Sequence, residues 1–344
     1  MTQDVLKEYG FDDKTYQVEK YGSGLINHTW IIEKDEEKYI LQKINDAVFK
    51  KPEDIAANLE LIDNYLKENN RDYFFTAPYK TLDGKGLVHA ADGYYRVYPF
   101  VKNSYSYDVV EKPEQAYEAA RQFGRFTMAL SGIDASELKI TLPSFHDLSL
   151  RVKQYEDALQ NGNKERIEQS ADFIERLNKY AYIAEEFEKI KDNRDFKLRV
   201  THHDTKISNV LFDSNDKGIC VIDLDTVMPG YFISDVGDMM RTYLSPVSEE
   251  EKDYSKIEIR DEFYKAIVKG YKEEMEDVLT ETEKGYFFYA GTFMIYMQAL
   301  RFLTDHINND VYYGARYEGH NFVRAGNQIV LLEKLAEKKA VLDR

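Results

Sequence analysis

"VTHHDTKISNVLFD", Val200 to Asp213, sets two adjacent histidines against Asp204, follows with Lys206 and Asn209, and then turns apolar. A histidine metal pair is disfavoured, because neighbouring side chains rarely converge on one ion and no H-x-x-x-H spacing follows. A polar turn containing an asparagine remains open, and so does a loop that carries chemistry. Fourteen residues beyond Asn209 stands Asp223, in "VIDLDT", at the end of another apolar run. A hairpin built from "VLFD", "SNDKG" and "ICVID" would bring Asn209 and Asp223 side by side.

The bulk composition fits an ordinary soluble globular chain: 344 residues, 43% hydrophobic and 31% charged. Only seven prolines over that length favour long helices over an all-β sandwich. The net charge of −16 speaks against a nucleic-acid partner. The single cysteine, Cys220, excludes an intramolecular disulfide and a thiolate metal site, and its apolar surroundings mark it as a buried small hydrophobe. "MTQDVLKEYG" shows no basic segment leading into an apolar one, so no signal peptide is expected. "YFFYAGTFMIYMQALRFL", Tyr286 to Leu303, reads as a buried helix rather than a membrane span. The expected setting is the cytoplasm, as a monomer or weak dimer, with a small molecule as partner and neither membrane nor nucleic acid.

Organisation changes along the chain. "TYQVEKYG", "LINHTWIIEK" and "EKYILQKI" alternate like strands, and "LVHAADGYYRVYPFV" reads as a hairpin turning at "ADG". Between them Ile55, Leu59, Ile62 and Leu66 recur at helical spacing. From about Glu111 the pattern is helical: "EQAYEAARQFGRFTMALSG" with Gly132 as a stop, then "NKERIEQSADFIERLNKYAYIAEEFEKIKD" as one long charged helix. Brief strands return at "VLFD" and "GICVIDLD", and helix dominates from about Ser234. The expectation is an α+β chain of two lobes: a small β-rich lobe over 1–101 and a larger, mostly helical lobe over 102–344, joined by "PFVKN". A small-molecule site belongs in the cleft between them.

Phosphoryl transfer needs few protein groups: a carboxylate at the attacking hydroxyl, magnesium ligands, and donors around the phosphates. His202, Asp204 and Asn209 match the H-x-D-x-x-x-x-N spacing of kinase catalytic loops, and Asp223 stands where the metal-binding Asp of D-F-G is needed. Asp204 is the candidate base, its work being orientation more than strong basicity. Lys206 would reach the transferring phosphate. Asn209 and Asp223 would hold Mg2+, a hard ion that keeps several waters. Asp225 is either a further ligand or a local hydrogen-bond acceptor. For ATP, Gly22, Ser23 and Gly24 would let backbone amides approach the phosphates, with Asn27 and Thr29 following on the next strand. A hairpin turn would look the same. Strand alternation lets only one of Gln42 and Lys43 face the site, and Lys43 is the candidate phosphate cation. Glu60 is either its partner or a solvated helix charge. Tyr98 and Phe100, in "VYPFV", have the character of a hinge flanking an adenine ring.

Together these residues resemble the aminoglycoside phosphotransferase and choline kinase-like superfamily, and so imply a bilobal protein-kinase-like fold. That superfamily has H-G-D where this chain has His202, His203 and Asp204. The blocks "GSGLINHTW", "YILQKIN", "PSFHDLSLR", "VIDLDTVMPGYFISDVGDMMRT" and "RFLTDHINNDVYY" resemble the N-acetylhexosamine 1-kinase group over nearly the whole chain. The resemblance implies transfer from ATP with Mg2+ to the C1 hydroxyl of N-acetylglucosamine or N-acetylgalactosamine. It also implies that Asp235 helps to hold the catalytic loop; by position, Asp235 and Asp238 look like an N-cap and a first-turn acid. The acceptor would meet Asp204, Arg301, Asp305, Tyr313 and His146. Arg301, inside an apolar helix, needs a partner or a ligand, and an internal ion pair with Asp305 is the rival reading. Asp147 is explained as a helix cap. Two alternatives stay open: an aminoglycoside- or amino-alcohol-type phosphotransferase, and an inactive nucleotide-binding regulator, against which Asp204, Asn209 and Asp223 speak.

Overall fold

Alternation near the N-terminus folds into a sheet. After a short helix α1 (Thr2–Glu8) come β1 (Gln17–Lys20), β2 (His28–Lys34) and β3 (Glu37–Ile44). The β2–β3 turn puts Asp35 and Glu36 at φ of 51° and 66°, the paired left-handed residues that a tight hairpin demands. Helix α2 (Pro52–Asn69) follows, and β4 (Val88–Ala90) and β5 (Gly93–Pro99) complete the sheet in the order β1-β2-β3-β5-β4, antiparallel throughout. The computed structural model describes residues 2–11, 16–22 and 26–343.

The period of two gives this sheet two chemically distinct faces. Ile32, Leu41, Tyr95 and Val97 pack with Val5, Leu6 and Phe11 into a small core under α1. On the other face Ile44 joins Ile55, Leu59, Ile62 and Leu66 of α2 in a second core that runs on into the helical remainder.

That remainder holds α3 (Pro113–Ala129), α4 (Leu148–Asn161), α5 (Lys164–Gln169), α6 (Ala171–Asn178) and α7 (Tyr182–Asp192). Four short strands follow: β6 (Arg199–Thr201), β7 (Val210–Phe212), β8 (Gly218–Val221) and β9 (Met228–Gly230). Helices α8 (Phe232–Tyr243), α9 (Asp261–Met275), α10 (Glu281–Lys284), α11 (Phe287–Ile307), α12 (His320–Glu337) and α13 (Lys339–Leu342) close the chain. The apolar α11 is the central post, packed against α4, α7, α8 and α12. No helix among the described residues is long and apolar enough to cross a membrane.

The single helix expected over 163–192 is three helices. Ser170, fully buried, bonds its hydroxyl back to the Arg166 carbonyl (2.7 Å) at the first break, and residues 179–181 make the second. The breaks let Phe173 and Leu177 face the core beside α12, while Ile183, Phe187 and Ile190 turn toward α11 and α4. A straight rod could not wrap both surfaces.

Candidate active site

The loop after β6 is pinned from α8. Asp235 accepts from the backbone N–H of His202 (2.9 Å) and of His203 (2.7 Å), and Asp238 accepts from Thr205 N–H (2.9 Å). The Thr205 hydroxyl donates to the Asp235 carbonyl (2.8 Å), and Tyr243 donates to the Thr205 carbonyl (2.5 Å). Burial pushes the Asp235 carboxyl up to about 7, while the two N–H donors work the other way. Asp235 lies in the first turn but is not the cap: Tyr231 precedes the helix at that position. His202 braces the loop, its Nε2 lying 2.9 Å from the Ile222 carbonyl.

His203 sits at φ 66°, a left-handed position where glycine carries no Cβ penalty. Here the imidazole is accommodated because Gly230 faces it: a Cβ on Gly230 would stand 2.4 Å from His203 Nε2. Burial holds the His203 ring neutral, lowering its pKa to about 4.

Past the loop the β7–β8 hairpin forms as expected. Ile222 N–H donates to the Asn209 carbonyl (2.8 Å), which brings Asn209 beside the end of β8. Asn209 Nδ2 donates to the Asp204 carbonyl (2.8 Å) and to its carboxylate (3.1 Å), and Lys206 Nζ lies 3.0 Å from the same carboxylate. Asn209 therefore turns its amide nitrogen to Asp204. Asp223, at φ 59°, has its carboxyl pushed above the ordinary range by burial, then by the charges of Asp225 and Asp204. Among the described residues no three acidic or imidazole side chains converge as a metal cage. An amide oxygen plus one carboxylate is a donor set that fits magnesium completed by water and phosphate oxygens.

Asp225 pairs with the sheet. One oxygen lies 2.5 Å from Arg96 Nη2, and the other accepts from Asn27 Nδ2 (2.7 Å). As acceptor from Asn27 and partner of Arg96, it ties the sheet to the loop that carries Asp223.

On the nucleotide side the expected cation is corrected. Lys43 lies on the α1 face, pairing with Asp92 (3.0 Å) against the Tyr95 ring. Glu60 pairs instead with Lys80 (2.6 Å) at the surface. Gln42 takes the cleft face. Thr29, Gln42 and Arg96 stand in one row across β2, β3 and β5, and Gln42 Oε1 accepts from Arg96 Nη2 (2.9 Å) and Nε (3.2 Å). Tyr98 lies beside them, its ring 5.0 Å from the Arg96 guanidinium. Phe100 is half-buried under Lys38. Gly22 is exposed at φ 74°; Ser23 and Gly24 lie outside the described residues. Asn27 also accepts from Asn45 N–H (3.0 Å), which anchors the start of β2. Sequence reading missed Arg96 and also Asn58, which donates from α2 to the carbonyls of Lys139 (2.9 Å) and Val227 (3.0 Å). The available signal for Arg96 was a charge inside the apolar run "GYYRVYP".

On the other flank of the loop the rings of His203 and His146 lie 5.3 Å apart, and His146 stacks on Phe145. Arg301 spans from this aromatic patch to Tyr312 and Tyr313, bonded to Gln298 (3.1 Å) and to the Tyr312 hydroxyl (3.3 Å). Arg151 is held by Gln154 (2.9 Å) and the Ser144 carbonyl (3.0 Å). Among the described residues no carboxylate pairs with Arg301 or Arg151. Asp305 is engaged elsewhere. It accepts from the backbone N–H of Tyr312 (2.7 Å) and of Tyr313 (2.9 Å), shaping the loop that presents them. Among the described residues the Arg301–Asp305 pair does not form. Burial, His203 and the guanidiniums of Arg301, Arg241 and Arg151 hold His146 well below the ordinary histidine pKa. Asp147 caps α4 by accepting from Leu150 N–H (3.2 Å).

Residues 17–280 match the phosphotransferase enzyme family. The chain belongs to that family. Solved structures share its fold, the α+β bilobal, protein-kinase-like one. An aminoglycoside phosphotransferase from Alicyclobacillus acidocaldarius superposes with a TM-score of 0.64 at 14% identity, over 98% of this chain and 96% of its own. A spectinomycin phosphotransferase in complex with ADP and spectinomycin gives 0.61 at 12% identity, over 98% of each chain. A choline kinase from Cryptosporidium parvum gives 0.60 at 14% identity, over 99% of this chain and 98% of its own. The family match covers the loop after β6 and the β7–β8 hairpin of this phosphotransferase. It ends before α11, so Arg301, Asp305 and Tyr313 fall outside it.

Proposed function

We propose that this phosphotransferase moves the γ-phosphoryl group of ATP, with magnesium, to the C1 hydroxyl of a free sugar, N-acetylglucosamine or N-acetylgalactosamine being the preferred acceptors. The observation that supports this reading is the charge of the acceptor flank. Two guanidiniums without acidic partners among the described residues, Arg301 and Arg151, face the same aromatic patch, and Arg301 Nε, Arg151 Nε and His146 Nδ1 are buried without hydrogen-bond partners. Such donors suit hydroxyl and carbonyl oxygens and repel ammonium groups. Tyr312 and Tyr313 offer ring faces to the apolar side of a sugar.

In this reading Asp204 takes the proton of the anomeric hydroxyl as the oxygen attacks phosphorus and the bond to the ADP leaving group breaks. An anomeric hydroxyl is more acidic than other sugar hydroxyls, so alignment matters more than basicity. Asn209 orients Asp204 through its amide nitrogen, and Lys206 brings a positive charge to the same carboxylate. Asn209 and Asp223 would hold magnesium, which neutralises charge on the phosphate oxygens. The fold neighbours carry a second reading, since they are named for amino-bearing acceptors.

The test is an ATP-consuming assay over free hexosamines, hexoses, choline and kanamycin, with phosphorus NMR on the product. The expected outcome is N-acetylhexosamine turnover, a C1 phosphate and loss of the reducing end. Turnover of kanamycin or choline without sugar turnover would overturn the reading.

A further inference from the structure

The cleft face of the sheet needs a cation, and the strand that offers one by sequence, β3, turns it away. Lys43 is committed to Asp92 on the α1 face. The position that faces the cleft is the neutral Gln42. Its register partner on β5 is Arg96, which is 2% exposed and among the largest fully buried side chains.

Arg96 is oriented from two sides. Gln42 Oε1 takes Nε and one Nη2 hydrogen, and Asp225 stands against Nη2. Burial is the largest influence and opposes the charge, but Asp225, Tyr98 and Asp223 together outweigh it and hold the guanidinium above even its ordinary pKa. Nη1 is buried with no hydrogen-bond partner among the described residues. A buried charged donor left unpaired is costly, so an Nη1 in this position calls for an acceptor. The neighbouring Asp223 adds to the field that keeps Arg96 charged. The guanidinium thus stands within the electrostatic reach of the metal carboxylate, where nucleotide phosphates come to the ion.

We propose that Arg96 is the phosphate-binding cation of this enzyme, aimed by Gln42 and Asp225, and that Nη1 donates to a nucleotide phosphate oxygen. The ion pair that couples the sheet to the metal loop is then Arg96–Asp225, not Lys43–Glu60. A planar fork fixed at two of its nitrogens presents the third in one direction, which a lysine cannot reproduce. The inference rests on nucleotide use by this phosphotransferase but not on the identity of the acceptor.

The test uses the full chain without any acceptor. Binding of Mg-ADP and of adenosine is measured for wild type, Arg96→Gln, Arg96→Lys and Lys43→Ala. Arg96→Gln should weaken Mg-ADP about tenfold or more, the range for a hydrogen bond to a charged group, and leave adenosine within about twofold. Arg96→Lys keeps the charge and guards against a misfolded glutamine variant; it should lose ADP affinity by a smaller factor, again sparing adenosine. Lys43→Ala should bind both as wild type does. Equal losses for ADP and adenosine in the lysine variant would make Arg96 a strut and overturn the assignment. So would unchanged ADP binding in Arg96→Gln, or a phosphate-specific loss in Lys43→Ala. Wild-type protein that binds no ADP would overturn nucleotide use itself, and the Arg96 assignment with it.

Discussion

In the proposed mechanism the loop after β6 and the sheet above it solve the same problem, placing charge at a phosphoryl group, by different means. In the loop the functional groups are close in sequence: Asp204, Lys206 and Asn209 meet within six residues, locked by Asp235 and Asp238. In the sheet they are far apart: Thr29, Gln42 and Arg96 meet only because three antiparallel strands pair in one register. A loop of this kind can be read from spacing. A cross-strand row cannot, because a shift of one residue moves every side chain to the other face.

The largest effect should come from breaking the loop's metal side. Asp223→Ala is expected to abolish turnover while the fold survives. In wild type ATP should raise the melting temperature more with magnesium than without it; ligand at about a hundred times its Kd contributes about 2.7 kcal/mol. In the variant that magnesium dependence should vanish. A variant that turns over normally would end the metal assignment. Asp204→Asn comes next, with kcat falling by about two to four decades and ATP affinity nearly kept. A loss of ATP binding at unchanged kcat would make Asp204 a nucleotide-positioning group.

What is legible in the sequence follows the same division. The H-x-D-x-x-x-x-N spacing, the hairpin that joins Asn209 to Asp223 and the small sheet before the helices are readable because each depends on local periodicity. Lys43 misleads because alternation says only that neighbours oppose each other; which of them faces inward is set by α1, whose Val5 and Leu6 claim the face with Leu41. Asp225 stays between two roles on sequence alone because its partner, Arg96, lies more than a hundred residues away. For Asp305, a carboxylate four residues after Arg301, the spacing suggests an ion pair with that arginine. Its actual partners are backbone amides of the following loop, which no pattern of side chains announces.

The flank proposed for the acceptor lies on the side of the loop away from the sheet, and Arg301 probes it. Arg301→Ala should raise the sugar KM by about tenfold or more, given about 1.5–3 kcal/mol for hydrogen bonds from a charged donor, while the ATP KM stays within about twofold. Equal movement of both constants would place Arg301 in the general architecture and remove the argument for a neutral acceptor.

The smallest effect concerns how the loop tolerates His203. Its ring is buried, its backbone is left-handed, and its pKa is lowered to about 4. An unfolded histidine takes up a proton near pH 6.5, whereas this one refuses it until about pH 4. Between those values the unfolded chain binds more protons, so the stability present above pH 6.5 is lost as pH falls, by at most about 3 kcal/mol at about 1.36 kcal/mol per unit. Asp235 acts in the opposite sense. Its carboxyl, raised to about 7, favours the folded state at low pH, and that contribution fades as pH rises from about 4 toward 7. The two therefore mask each other in the wild-type profile, and only a difference between proteins separates them. His203→Asn keeps a residue that accepts the left-handed backbone and removes the titration. Asp235 is common to both proteins and cancels. The melting temperature of the variant should then fall less than that of wild type between pH 6.5 and pH 4. Parallel curves would mean that His203 can take up its proton inside the fold, and that the room made by Gly230 includes a partner for a charged ring.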